Sequence, residues 1–371
     1  MRIAVYAHLH RSKIAPTGVG QHLIHMISGL SKRPDIECRV VAPRDELDNQ
    51  SRIPEGSPLA GMPVRGLPFG RRWLEASWRY LGAPAIDRWS GPADWIYSPT
   101  EVYVATRSAR LAITVHDLHA FEPDLPWSRT AEHQAFRARW ERTMTPILQR
   151  AACIVTVSEF TRGRLRALLG VDPQRVAVVG NGVDPLYLEA PSGAIDTPSD
   201  VSPYVLVVGG LTRRKGGDLI LRLAAVLARE LPQMRVVVAG TGEQELVDAA
   251  RRHGNVTLLP HVPTRTLVGL LHGATAALCL SRYEGFGMPV LEAMAAGAPV
   301  IASRCGALPE VVADAGILVD GEDSHKVAEA IAWLSADPGA REEYRRRGKA
   351  RAEASSWDRC VDRLLRSLKE R

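Results

Sequence analysis

Short apolar runs alternate with longer stretches of helical period along most of the chain. In the first half, Ile3–Tyr6, Cys38–Ala42, Trp95–Tyr97, Leu111–Val115 and Cys153–Val157 are apolar at nearly every position. That is the pattern of strands covered on both faces. Between them, His22–Leu30 and Glu132–Arg150 read as helices. Residues 186–203 are rich in Pro, Ser, Asp and Gly and read as a linker. The pattern then restarts, with strands at Tyr204–Val208, Arg235–Ala239, Val256–Leu259, Ala276–Leu280, Val300–Ala302 and Gly316–Val319, and a helix over Asp218–Leu231. Strand–helix alternation of this kind predicts α/β domains with parallel sheets. The expected architecture is two Rossmann-like doubly wound domains, residues 1–185 and 204–355, facing across a cleft at the carboxyl ends of their strands. After the basic helix Gly339–Glu353, residues 356–371 place Trp357, Val361, Leu364, Leu365 and Leu368 on one helical face. This predicts a terminal helix that crosses back onto the first domain.

Composition narrows the function classes. The chain has 371 residues, 46% of them hydrophobic and 24% charged, which suits two domains with full cores. Five scattered cysteines show no C-x-x-C and no metal-ligand spacing, so reduced thiols and a cytoplasmic setting are expected. Met1 leads straight into a strand pattern without an export signal, and no run is long and apolar enough to span a membrane. The net charge is +6, and residues 1–190 hold 24 Lys and Arg against 19 Asp and Glu. The excess suits an anionic partner in the first half. It forms no basic block or basic–aromatic strip, so nucleic acid is not expected.

The densest candidate chemistry lies in Tyr283–Gly297. Pro289 at a helix start and Gly297 at its end predict a short helix over 289–296. Gly285 and Gly287 leave a loop whose N–H groups can approach a ligand closely, and the helix N-terminus favours an anion. Glu284 enters this loop and Glu292 follows eight residues later. A second candidate is Gly209-Gly210-Leu211-Thr212-Arg213-Arg214-Lys215-Gly216, between a strand and a helix. Cations at a helix N-terminus are misplaced unless an anion joins them, and a diphosphate would do so. Thr17-Gly18-Val19-Gly20-Gln21 reads as a glycine loop before the His22 helix. His116, Asp117 and His119 follow a strand at its ligand-facing end. No D-x-D pair and no His/Asp cluster with metal spacing occurs, so no metal or other cofactor is expected.

The Tyr283–Gly297 stretch, with Leu308-Pro309-Glu310-Val311 and Asp314-Ala315-Gly316, resembles the E-x7-E region of retaining GT-B glycosyltransferases, specifically glycosyltransferase family 4. The resemblance extends over essentially the whole chain. It implies a nucleotide-sugar donor, with Glu284 at the donor sugar and Glu292 on the ribose hydroxyls. The backbone of Gly285, Phe286, Gly287 and Met288 would contact sugar and phosphates. Arg213, Arg214 and Lys215 would hold the diphosphate, with Gly18 and Gly20 reaching the donor phosphate and His261 and Val262 the nucleobase. His116 would lie near the reacting carbon, with Asp117 on the acceptor side, and Asn181-Gly182-Val183-Asp184 would be structural. Catalytic roles fall to Glu284, His116, Lys215 and Arg214. One departure is Gly210, where many members carry Arg, so Arg213 or Arg214 would substitute. The closest pattern is that of bacterial mannosyltransferases, which implies a GDP-sugar such as GDP-mannose and a glycan or lipid-linked acceptor. Phe69–Trp89, with three tryptophans among arginines, reads either as a domain-packing segment or as a peripheral contact with a membrane surface or a glycan. A nucleotide-sugar epimerase of the same fold and a transferase using a UDP-sugar remain alternatives.

Overall fold

The structure is a computed structural model that describes residues 1–9, 17–189 and 203–371. It divides into two compact units, Met1–Asn181 with Trp357–Arg371, and Gly182–Ser356.

In the first unit the elements run β1 (Arg2–Tyr6), α1 (Gly18–Ser31), β2 (Glu37–Pro43), β3 (Val64–Leu67), α2 (Arg71–Leu81), α3 (Asp87–Ser90), β4 (Trp95–Ser98), β5 (Arg110–Val115), α4 (Ala131–Arg150), β6 (Cys153–Thr156), α5 (Glu159–Leu169) and β7 (Val176–Val178). Among the described residues the strands form one parallel sheet in the order β3-β2-β1-β4-β5-β6-β7. The order reverses between β1 and β4. β4 is buried at every residue and β1 from Ile3 onward, because helices cover both faces of the sheet.

The second unit runs β8 (Tyr204–Val208), α6 (Gly217–Glu230), β9 (Arg235–Ala239), α7 (Gln244–Ala250), β10 (Val256–Leu259), α8 (Thr264–Gly273), β11 (Ala276–Cys279), α9 (Met288–Ala295), β12 (Val300–Ser303), α10 (Leu308–Val312), β13 (Ile317–Val319), α11 (Ser324–Ala336) and α12 (Pro338–Glu353). Its sheet is again parallel, in the order β10-β9-β8-β11-β12-β13, with the reversal between β8 and β11. In such sheets the chain leaves the two central strands in opposite directions, and a crevice opens at their carboxyl ends. The loops after β8 and β11 therefore form the expected ligand position of this unit.

The last helix, α13 (Trp357–Lys369), belongs to the first unit. It buries Trp357, Cys360, Val361, Leu364, Leu365 and Leu368. Val361 packs so closely on Gly29 of α1 that a Cβ there would sit 2.6 Å from a Val361 methyl.

Two details differ from the sequence reading, and a third stretch shows features of both its readings. Gly18 and Gly20 lie in the first turn of α1 rather than in a loop before it, because Thr17 caps the helix and accepts from the Gly20 N–H at 3.4 Å. Pro185–Tyr187, at the start of the stretch read as a linker, is a 3-10 turn capped by Asp184 inside the second unit. Residues 190–202 of that stretch lie outside the described residues. Within Phe69–Trp89, α2 buries Leu74 and Trp78 but exposes Trp73, Tyr80 and Leu81. Among the described residues, no helix is long and apolar enough to cross a membrane.

Candidate active site

In the second unit, the loop leaving β8 is shaped by close backbone approach. Gly210 has φ +79°, and a Cβ there would lie 1.3 Å from the Thr241 carbonyl oxygen. No side chain fits, so the arginine expected at this position is excluded by the backbone of the loop after β9. The loop then turns into α6, and Lys215 folds back over Gly209, with its Nζ 2.0 Å from where a Cβ would stand. Lys215 makes no ion pair within 4 Å among the described residues, and the nearby carboxylate acting on it is Glu292.

The three cations read from the sequence do not act together. Arg213 points away: its backbone N–H donates to Glu243 at 2.8 Å and its guanidinium pairs with Glu245 at 3.0 Å. Arg214 stays at the site, donating to the Tyr283 carbonyl at 3.2 Å with Glu284 at 3.7 Å. The residue that holds this loop was not singled out by sequence. Arg282 forms a two-point bridge to Asp218 in the first turn of α6, at 2.6 and 2.7 Å, and reaches Glu322 at 2.9 Å. Its own N–H donates to the Arg214 carbonyl at 2.9 Å. Hydrogen bonding from Arg282 holds the Asp218 carboxyl below its ordinary range. The partners are 64 residues apart in sequence, so only the fold reveals them.

After β11, Glu284 is buried. Ser281 Oγ donates to its Oε1 at 2.8 Å, so one oxygen is tethered and the other faces Arg214. Ser303 Oγ and Cys305 Sγ both bond the Ser281 carbonyl, at 2.6 and 2.7 Å, which fixes the turn carrying this serine. Gly287 takes φ +108° as the cap of α9, a conformation that glycine reaches without strain. The first N–H groups of α9 have no intrahelical acceptor and form an anion-seeking end. Glu292 lies farther along α9, half-buried, where burial pushes its carboxyl up to about 7 against the pull of Lys215. Tyr187 donates to it, and Asp184 lies close enough to raise it further. Both come from the 3-10 turn at the start of this unit. Phe286 and Val262 pack on the same core as Val290, and His261 is exposed.

In the first unit, His116 follows β5. Its N–H donates to Glu101 at 2.8 Å and its Nε2 donates to the Pro99 carbonyl at 2.9 Å. In the neutral ring this leaves Nδ1 as the accepting nitrogen. His22 of α1 stands edge-on to it, ring centroids 4.9 Å apart. His22 itself bonds Asn181 at 2.8 Å and the Tyr97 hydroxyl at 3.1 Å. Burial, with His116 adding to it, pushes His22 down to about 3, so it is neutral. Asp117 bonds the His119 ring at 2.6 Å.

Two parallel-sheet Rossmann-like units of this kind, one with a glycine loop, a basic turn and two glutamates at its strand reversal, make a glycosyltransferase of GT-B architecture. Residues 16–186 match the family model described as "Glycosyltransferase Family 4" and residues 196–351 the one described as "Glycosyl transferases group 1". The chain is 28% identical to O-antigen chain mannosyltransferase B of Escherichia coli, over 95% of this chain and 96% of that protein. It is 33% identical to alpha-maltose-1-phosphate synthase of Mycolicibacterium smegmatis, over 67% of this chain and 70% of that one. A sucrose-phosphate synthase of Thermosynechococcus elongatus shares the fold with a TM-score of 0.76, at 21% identity, covering 100% of this chain and 98% of that one. The chain belongs to glycosyltransferase family 4.

Proposed function

We propose that the protein is a retaining hexosyltransferase that takes a sugar, in the first instance mannose, from a nucleoside diphosphate and transfers it to a hydroxyl of a glycan or lipid-linked acceptor. The observation that carries this reading is Lys215: a cation with no ion-pair partner among the described residues, at the strand reversal, with Arg214 beside the same loop. A diphosphate supplies the missing charge. The bond from the anomeric carbon to the donor phosphate breaks, the bond to the acceptor oxygen forms, and the acceptor's proton passes to the leaving diphosphate. Negative charge grows on that leaving group as the bond lengthens, so Lys215 and Arg214 stabilise the transition state more than the bound donor. Glu292 accepts the ribose hydroxyls, the Gly285–Met288 backbone meets the phosphates and sugar, and Glu284, held by Ser281, orients the sugar. His116, with its tautomer set by Pro99, serves the acceptor side. The identity to a mannosyltransferase supports mannose, and hence a GDP-sugar, as the donor to try first.

Lys215→Ala should lower turnover at saturating donor by roughly a hundredfold, the scale of losing one preorganised electrostatic group. The melting temperature should change little, because no ion pair within 4 Å is lost and only the longer-range pull on the Glu292 carboxyl is removed. Unchanged turnover would move the diphosphate elsewhere. With cations in place of a metal clamp, activity should also survive EDTA; complete loss restored by Mg²⁺ would reverse that part of the reading. Release of sugar or epimer from donor alone, with no transfer to any acceptor, would favour the epimerase alternative.

A further inference from the structure

Away from the donor-side residues, the first unit holds a cavity of about 300 Å3 between the C-terminal end of α2, the segment after β4 and the C-terminal half of α4. That is the lower end of the range for small-molecule sites. Arg79, Arg142 and Arg150 line it. None of the three has a carboxylate within 4 Å among the described residues, although neighbouring arginines do pair: Arg137 with Glu141 at 3.5 Å and Arg164 with Glu122 at 2.5 Å. The wall also carries Glu75 and Glu101, but Glu75 is engaged by His8 and Arg71 and Glu101 by the His116 N–H, so the three guanidiniums leave an excess of positive charge on the pocket. Arg150 also donates to the Tyr103 hydroxyl oxygen at 2.6 Å, which turns the phenolic hydrogen outward as a further donor.

The pocket is coupled to the candidate acceptor side. Glu101 on its wall accepts the His116 N–H at 2.8 Å, and Glu75 bonds the ring of His8, just after β1, at 2.5 Å. Two of its wall residues thus touch the residues that follow β1 and β5 at their carboxyl ends, the side on which such a sheet takes ligands. Its lip carries the exposed Tyr80 and Leu81.

We propose that this pocket is an anion site that takes the phosphate or diphosphate of the acceptor. Planar guanidiniums bind such oxygens in two-point contacts. The assignment to the acceptor rests on the transferase reading; the anion site itself does not. The same chemistry would come from a soluble sugar phosphate or from a lipid-linked diphosphate whose chain leaves past Tyr80 and Leu81.

The test is a calorimetric titration of inorganic pyrophosphate into the full chain. The parent should show two sites. The Arg142→Gln/Arg150→Gln variant should lose one of them by at least tenfold in affinity while keeping a cooperative melting transition, since both side chains are exposed, although the Arg150–Tyr103 hydrogen bond is lost. Arg79→Gln alone, a smaller change, should weaken the same site. Lys215→Ala should remove the other. If the arginine variants bind pyrophosphate as the parent does, the pocket is not an anion site. If only Lys215→Ala has no effect, the donor reading fails and this one stands. Phosphatidylcholine vesicles with and without a polyprenyl diphosphate separate the two sources. Binding of the loaded vesicles that the double variant lacks assigns a lipid-linked acceptor. Pyrophosphate binding with no vesicle binding assigns a soluble one.

Discussion

Glu292 and His22 are driven from their ordinary pKa values by the same cause, burial, and in opposite directions. The folded chain holds the Glu292 proton until about pH 7, while the unfolded chain releases it near 4.5. Between those values the native state binds more protons, so this group lets stability fall as pH rises from about 4.5 to 7. A shift of that size corresponds to about 3 kcal/mol. For His22 the folded value is about 3 and the unfolded 6.5, so its contribution is full above 6.5 and lost as pH falls toward 3. Glu292→Gln should therefore melt higher than the parent at pH 8 and level with it near pH 4, as read by calorimetry across pH. The same variant should bind a nucleoside diphosphate more weakly, since a carboxylate that accepts two hydroxyls is replaced by an amide that accepts through one atom. Equal melting at pH 8 would mean that Tyr187 and Lys215 already compensate for the buried charge.

At the scale of elements, the loop after β8 explains why some of the site was legible in sequence and some was not. Apolar runs revealed most strands, because a strand covered on both faces must be apolar throughout. β3 was missed because Arg65 and Gly66 are exposed on an edge, which breaks the apolar run. The glycine turns after β8 and β11 and the helix after β11 were readable from residue type, since positive φ and helix capping are local properties, whereas Gly18 and Gly20 proved to be helical. The direction of each basic side chain was not: adjacent arginines part ways because Glu243 and Glu245 draw Arg213 outward while the Tyr283 carbonyl holds Arg214. The absence of an arginine at 210 looked like a lost phosphate contact, whereas the Thr241 carbonyl leaves no space for one. Gly210→Ala should accordingly destabilise the second unit by at least about 1–2 kcal/mol from the left-handed conformation alone, and by more because a backbone carbonyl must move. Chemical denaturation reads the change. A neutral result would show that this loop repacks freely.

For the molecule as a whole, the return of α13 is the decisive connection. Six of its side chains are buried in the first unit. At about 1.5–3 kcal/mol for each large apolar side chain, they contribute on the order of ten kcal/mol, comparable with the roughly 5–15 kcal/mol net stability of a whole domain. Removing Trp357–Arg371 should abolish the melting transition of the first unit while the transition of Gly182–Ser356 remains, which differential scanning calorimetry resolves. Two intact transitions in the shortened chain would show that α13 is dispensable cover.

The same connection makes the first unit, begun first, the last to be completed during synthesis. A nascent chain that has passed residue 181 has made every strand of the first sheet, yet one wall of that unit is still more than 170 residues from being translated. At roughly 5–20 residues per second the ribosome needs on the order of ten to forty seconds to deliver it. The later-encoded unit is complete at Ser356, one residue before α13 begins. Until then the surface of α1 at Gly29, which Val361 covers in the finished fold, has nothing to pack against it.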